Sequence, residues 1–288
     1  MEITFFGVRG SIPVPGPGTV RYGGNTACVL VTLASGARIV LDCGTGARTL
    51  GVALAQASVL GAGPPNQDAT FLLSHVHWDH IQGFPFFRPF YRPGNRFTIY
   101  GGTRDPGALE AVLEGQMAAE YFPLQTFRNM GATIDLRAVP LGEPFAVGGA
   151  RVTATLNPHA SSHSFAFRIE ENGTAIAYVA DVGYDDGKPP AASQALYRDV
   201  DLLIHDATYF PEERPPSGLR GLSSVDDAVD AALAAHAKAL VLFHYHPSYT
   251  DHDVDRLVAR AEARVSEHAG TSRKPAVHGA REGLTIHP

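Results

Sequence analysis

The segment Ser74-His75-Val76-His77-Trp78-Asp79-His80 places four potential metal ligands, His75, His77, Asp79 and His80, within six positions. Imidazole nitrogens and carboxylate oxygens are the borderline donors that suit Zn²⁺, at roughly 2.0–2.2 Å. The cluster directly follows the apolar run Ala69 to Leu73. A strand ending there anchors the backbone while the loop beyond it lets the side chains converge. Four polar residues in a solvated turn is the plain alternative, and the HxHxDH spacing argues against it.

One such cluster cannot complete two coordination spheres, so further ligands are expected at the ends of later strands. His159 follows a run ending near Leu156, Asp181 follows Ala175 to Ala180, and His244 follows Ala239 to Phe243. Seven ligands suffice for two ions with one bridging aspartate and room for water. The expected cofactors are therefore two divalent metal ions, zinc first, with manganese or iron also suited. Two such ions, typically about 3.5–4 Å apart, lower the pKa of a shared water and polarise an electrophile. Asp79 and Asp181 are the catalytic candidates, holding the nucleophile as well as the metals.

The elements that must carry these residues read as α/β. Short apolar runs rich in Val, Ile, Phe and Thr predict strands at 2–6, 26–33, 37–41, 70–73, 97–100, 132–139, 150–156, 164–170, 174–180, 201–204 and 239–243. Helical patterns fall at 46–60, 106–119, 190–198, 224–236 and 252–268. The last two have start signals: Ser223 or Ser224 before Asp226 and Asp227, and Thr250 before Asp253. Two sheets packed face to face with helices outside, in a single domain spanning 1–288, is the expected arrangement. The Gly- and Pro-dense stretch from Gly10 to Gly24 is a loop, either a surface connection or a wall of the site.

Composition narrows the function classes. With 44% hydrophobic and 18% charged residues and no apolar run long enough to span a bilayer, the chain reads as a soluble protein without a membrane partner. Met1 to Gly7 carries an acidic residue where a signal peptide would be positive, so a cytoplasmic location is expected. Two cysteines, Cys28 and Cys43, exclude a disulfide framework and read as small buried thiols. A formal net charge of -6 argues against stable nucleic-acid binding, which needs a basic face. A small-molecule substrate is the expected partner, and a homodimer is left open.

The chain resembles the metallo-β-lactamase superfamily, and more closely its ribonuclease Z and phosphodiesterase branch than its antibiotic-cleaving members. The resemblance rests on HxHxDH, Tyr178-Val179-Ala180-Asp181, Asp201 to Tyr209 (DLLIHDATY) and Leu242-Phe243-His244 in that order, with Gly7-Val8-Arg9-Gly10-Ser11, Gly23-Gly24-Asn25-Thr26 and Leu41-Asp42-Cys43-Gly44-Thr45-Gly46 before them. It implies a four-layer αββα sandwich. One metal would be held by His75, His77 and His159, the other by Asp79, His80 and His244, with Asp181 bridging. His163 competes with His159 for the same role, and spacing to the following strand favours His159. The family's Gly-His-Ser/Thr motif, whose histidine helps proton transfer, is replaced by Gly221-Leu222-Ser223, so either the leaving group needs no acid or His205, His163 or His246 substitutes. No counterpart of the arm that grips transfer RNA is evident, which argues against transfer-RNA processing.

Asp42 reads either as the group that orients a ligand histidine or as a turn former before Gly44. His205 and Asp206 divide between supporting the ligands and capping a strand end. Downstream of the ligands, Phe84 to Pro93 could stack on a ring while Arg88, Arg92 and Arg96 meet a phosphate; the competing reading is core aromatics with solvated arginines. The expected activity is a phosphodiesterase acting on a small anionic phosphodiester. A carboxylic ester, lactone or thioester hydrolase is the alternative, and a non-catalytic binding protein is a third class.

Overall fold

The computed structural model describes every residue except 60–65, 123–126, 161, 185–186, 216–220 and 269–272. Among the described residues, fourteen strands form two seven-stranded sheets. The first sheet contains β1 (Glu2–Gly7), β2 (Cys28–Thr32), β3 (Arg38–Leu41), β4 (Ala69–Leu73), β5 (Arg96–Gly101) and β6 (Thr133–Arg137). The second contains β7 (Phe145–Val147), β8 (Ala150–His159), β9 (Ser162–Glu171), β10 (Thr174–Val179), β11 (Leu202–Asp206), β12 (Ala239–Phe243) and β13 (Ala276–Gly279). The last strand, β14 (Thr285–Ile286), returns to pair antiparallel with β1 on the edge of the first sheet.

Both sheets have the same plan. In the first, β1, β2 and β3 pair antiparallel, and β3 through β6 pair parallel. In the second, β7 through β10 pair antiparallel and β10 through β13 pair parallel. Parallel neighbours need crossovers, and these supply the helices α1 (Gly46–Val59), α2 (Trp78–Ile81), α3 (Pro106–Gly115), α4 (Ala191–Tyr197), α5 (Val225–Ala234) and α6 (Asp251–Glu267). Residue 60, the expected end of the first helix, lies outside the described residues.

Two apolar clusters establish the layers. One joins the facing sides of the sheets, with Ile3, Phe5, Val29, Val31, Ile39 and Leu41 meeting Phe165, Phe167, Ile176 and Tyr178, and continues under α5 and α6 through Val229, Leu233, Val254 and Leu257. The other covers the outer face of the first sheet, where Leu50 and Leu54 of α1 and Leu109 and Leu113 of α3 pack with Phe71 and Phe97. The order helix, sheet, sheet, helix is the expected αββα sandwich. Its interior strands are buried on both faces, which is why they read as unbroken apolar runs.

Three short strands, β7, β13 and β14, escaped the sequence reading because two to four residues carry too little periodicity. The run expected to stop near Leu156 continues through Pro158 to His159. Proline usually ends a central strand, but β7 pairs only with residues 150–152, so β8 is an edge by position 158 and the missing N–H costs no ladder bond.

Cys28 and Cys43 are free and buried, as expected. Among the described residues, no helix is long and apolar enough to cross a membrane. Both start signals are realised as capping boxes, Ser224 with Asp227 and Thr250 with Asp253. In the exposed box at α6, Thr250→Ala is expected to lower the unfolding free energy by about 1 kcal/mol while Thr250→Ser retains it, as measured by urea denaturation.

Candidate metal centre

Parallel strands of both sheets end at the same rim. His75 lies two residues past β4, Asp181 two past β10, His244 one past β12, and His159 closes β8. Sites in parallel sheets form at such carboxyl ends, because there the chain leaves the ladder and its side chains turn out of the sheet plane. Here the turn is abrupt. Asp42 (φ 59°), Asp181 (φ 49°) and His244 (φ 63°), each just beyond a strand, take the left-handed conformation. This region is costly for residues with a Cβ, and such outliers gather at functional sites. Ser164 on β9 holds the Asp181 turn by donating to the carbonyls of Ala180 and Asp181.

Seven side chains meet there as two groups that share one member. His75, His77, His159 and Asp181 form the first, and Asp79, His80, Asp181 and His244 the second, with the donor atoms of each group within 4.8 Å of one another. All are buried except His77, which opens the site to solvent. Of the two histidines in the hairpin, His159 enters the group, while His163 pairs opposite Pro158 and is exposed.

The histidines are aimed by what their Nδ1–H groups touch. His80 donates to Asp42 at 2.8 Å, His75 to Ser74 Oγ at 3.0 Å, His159 to the Gly221 carbonyl at 2.5 Å and His244 to Thr208 Oγ1 at 3.1 Å. Each bond selects the tautomer with a bare Nε2 and points that lone pair inward. His77 differs in turning Nδ1 inward, 3.0 Å from His159 Nε2.

A divalent cation fits this donor set. His80 Nε2 and His244 Nε2 stand 3.3 Å apart, two bare lone pairs facing each other, with Asp181 Oδ1 3.0 and 2.9 Å from them. His75 Nε2 and His159 Nε2 lie 3.5 and 3.7 Å from Asp181 Oδ2. Despite this crowding, His75 Nε2 and Asp181 Oδ1 are buried without a well-formed hydrogen bond. Donors on a common tetrahedral ion sit roughly 3.3–3.6 Å from one another, which follows from bonds of ~2.0–2.2 Å. The spacing suits convergence on a point between the atoms better than bonding from atom to atom.

Without a cation the cluster balances its charge with protons. Burial alone would raise the Asp181 pKa, but His244, His80 and His75 outweigh it and hold the carboxyl well below its usual range. Burial works against charge on His80 too, yet Asp181, Asp79 and Asp42 raise it well above the ordinary imidazole value. Burial, with His80 adding to it, pushes His75 the other way. Protons shared between imidazoles and carboxylates thus occupy the role for which bound metal would compete.

The supporting residues were only partly visible in the sequence. Asp42 accepts from the Ser74 backbone and hydroxyl, His80 and Tyr178 at 2.6–2.9 Å, so it ties β3, β4 and β10 to one ligand. Ser11, in a left-handed turn (φ 67°), donates its backbone N–H to Asp79 Oδ2 at 2.6 Å. Gly10 admits that turn, since a Cβ there would come within 2.3 Å of the His244 ring. The start of the Gly10–Gly24 loop is therefore a wall of the site. Nothing about a backbone donor marks Ser11 in the sequence, and the GVRGS motif was its only signal.

Asp206 takes the supporting role, accepting from Thr208, Val182 and Ser223; burial raises its pKa to about 7. His205 does not join either group. It is buried between Tyr184 and the Asp206 carbonyl, and burial lowers its pKa to about 4.

Of the two readings of the aromatic and arginine run, the core one holds for three phenylalanines. Phe84, Phe87 and Phe90 are buried in the outer cluster with Phe71 and Phe97, where ring centroids lie 4.7–6.2 Å apart. Arg88 and Arg92 line a hollow of about 840 Å³ with α1, to which no member of the histidine groups contributes. Arg96 is exposed on β5. The buried Phe84, Phe87 and Phe90 and the two arginines thus turn away from the donor groups, while Phe86 stays 51% exposed on the other side of the segment.

Asp42→Ala leaves four donors without their acceptor. It is expected to lower the unfolding free energy by about 3–5 kcal/mol, read by denaturant titration. Zinc affinity should fall by roughly 10–100-fold, read by chelator competition.

A family model described as "Beta-lactamase superfamily domain" matches residues 37–245. Ribonuclease Z of Exiguobacterium sibiricum is 26% identical over 244 residues, covering 70% of this chain and 79% of the relative. Among solved structures, the metallo-beta-lactamase fold protein YhfI from Bacillus subtilis aligns with a TM-score of 0.72 at 19% identity, over 99% of this chain and 98% of its own. A diphosphatase from the PhnP family aligns at 0.66 and 20% identity, over 100% and 97%. With the family model matching residues 37–245, most of its length, and its fold shared with these neighbours, the chain belongs to the beta-lactamase superfamily and is a hydrolase on the metallo-β-lactamase fold.

Proposed function

We propose that this hydrolase is a dinuclear phosphodiesterase acting on a small anionic phosphodiester. His75, His77, His159 and Asp181 would hold one ion, and Asp79, His80, His244 and Asp181 the other. The observation that carries the reading is the position of Asp181, whose two oxygens face separate sets of imidazole nitrogens. An all-nitrogen and oxygen donor set favours zinc, with manganese or iron also accommodated. When bound, such ions supply an acidified water and polarise the electrophile. We further read the two sheets, which share one core, as a single domain.

The protein's own residues orient and hold. Asp79 Oδ2 accepts from the Ser11 N–H, and the same oxygen stands 3.2 and 3.3 Å from Nε2 of His244 and His80. His77 is the exposed member, so substrate approaches from its side. Gly221 passes His159, and the residue after it is Leu222, which carries no proton to give a leaving group. His163, His205 and His246 stand outside both donor groups. Leu222 in place of a proton donor favours an ester whose leaving group departs as a stable anion. The likeness to ribonuclease Z and to a PhnP-family diphosphatase supports phosphorus as the electrophile.

The test is metal analysis of protein purified without added metal, followed by parallel turnover of bis(p-nitrophenyl) phosphate and p-nitrophenyl acetate. Two divalent ions per chain and preference for the phosphodiester are expected. Asp181→Ala should lose bound metal and about 10³-fold in rate, equivalent to ~4 kcal/mol of transition-state stabilisation. Full activity with two ions in that variant removes Asp181 from its role, and preference for the acetate replaces the phosphodiesterase reading with the carboxylic ester one.

A further inference from the structure

Beside the cluster lies a second hollow, of about 650 Å³, within the size of small-molecule sites. Its wall includes Trp78, Phe86 and Tyr121, which are 67%, 51% and 73% exposed. Large aromatic side chains left in water together mark a surface that meets a ligand more often than an accident of folding. Trp78 stands in the chain between His77 and Asp79, so the turn that carries the donors also supplies this wall, without a donor itself lining it. Val76 and Ile81, from the same turn, line it as well. Phe86 is braced edge-on by Phe122, with centroids 5.5 Å apart and ring planes at 89°.

Two polar groups in this wall lack partners. Gln82 Oε1, an acceptor, and Gln116 Nε2, a donor, are buried with no hydrogen bond among the described residues. Buried amide atoms are nearly always satisfied, so an orphaned acceptor and donor in one aromatic hollow point to a missing complement. An alkyl group would fill the space and leave both unpaired. A planar ring with a donor and an acceptor on its edge would stack and pair at once.

We propose that this hollow receives a planar heteroaromatic ring carried by the substrate, its face against Trp78 and its edge met by Gln82 and Gln116. The inference rests on the phosphodiesterase reading for the attachment of that ring to a phosphate at the donor cluster. A ring so placed contributes binding remote from the reacting bond, and it distinguishes aryl-bearing phosphates from sugar phosphates of similar charge.

Trp78 is the chain's single tryptophan, so its fluorescence reports on the hollow independently of turnover. The experiment titrates the metal-loaded enzyme with adenosine 5′-monophosphate and with ribose 5-phosphate, which share phosphate and sugar and differ in the ring. Saturable quenching by the nucleotide is expected, with calorimetric affinity about tenfold or more above that of ribose 5-phosphate, the range of one stacked base. Phe86→Ala and Gln116→Leu should each shrink that advantage severalfold while circular dichroism shows the fold retained. Equal affinity for the two ligands, or an advantage untouched in both variants, overturns the inference. Turnover of bis(p-nitrophenyl) phosphate by the same preparation separates the two readings. Nucleotide preference without turnover supports the ring site and removes the phosphodiesterase, whereas turnover without preference removes the ring site alone.

Discussion

Everything at the rim depends on lone pairs being held at close range before anything binds them. Imidazole nitrogens 3.3 Å apart and carboxylate oxygens about them do not assemble spontaneously, because bare acceptors repel and buried charge is expensive. The fold overcomes this from behind. His75, His80, His159 and His244 each donate an Nδ1–H to a fixed oxygen, and those oxygens belong to different elements: the turn after β4, the turn after β3, the segment before α5 and the turn after β11. The donors are thereby preorganised, and the free energy of ion binding is not consumed in gathering them.

The sandwich explains why such a cluster can exist. Two sheets with the same sequence of antiparallel and parallel pairings place the carboxyl ends of their parallel strands along one edge. Tyr178 reaches from β10 to Asp42 after β3, and Phe165 N–H reaches the Ser74 carbonyl, so hydrogen bonds lock the two rims in register. Left-handed turns at Asp42, Asp181 and His244 then bend the chain sharply enough for the side chains to face inward. These strained positions persist because the apolar core beneath them over-determines the backbone. Stability in the sandwich sustains strain at its edge.

The same geometry separates what binds from what surrounds. His77 and Trp78 are both exposed, one a member of the donor groups and the other part of an aromatic surface carried by the same turn. Phe84, Phe87 and Phe90 come only a few residues later and do the opposite, filling the space between the first sheet and its helices. Aromatic residues of one short segment thus serve two ends, decided by whether they fall on the buried or the outward side of successive tight turns.

Local chemistry made much of this protein readable. The HxHxDH spacing names its own purpose, because no common structural element asks for three imidazoles and a carboxylate in six positions. Apolar runs long enough to show a period identified the principal strands, and polar residues just beyond them pointed to His159, Asp181 and His244. Capping residues marked the starts of α5 and α6 for an equally local reason. What the chain alone could not decide was direction: which way Arg88 and Arg92 face, whether β8 passes through Pro158, and that a backbone N–H at Ser11 would hold Asp79. Orientation arises from packing between elements far apart in sequence, and no residue carries that information by itself.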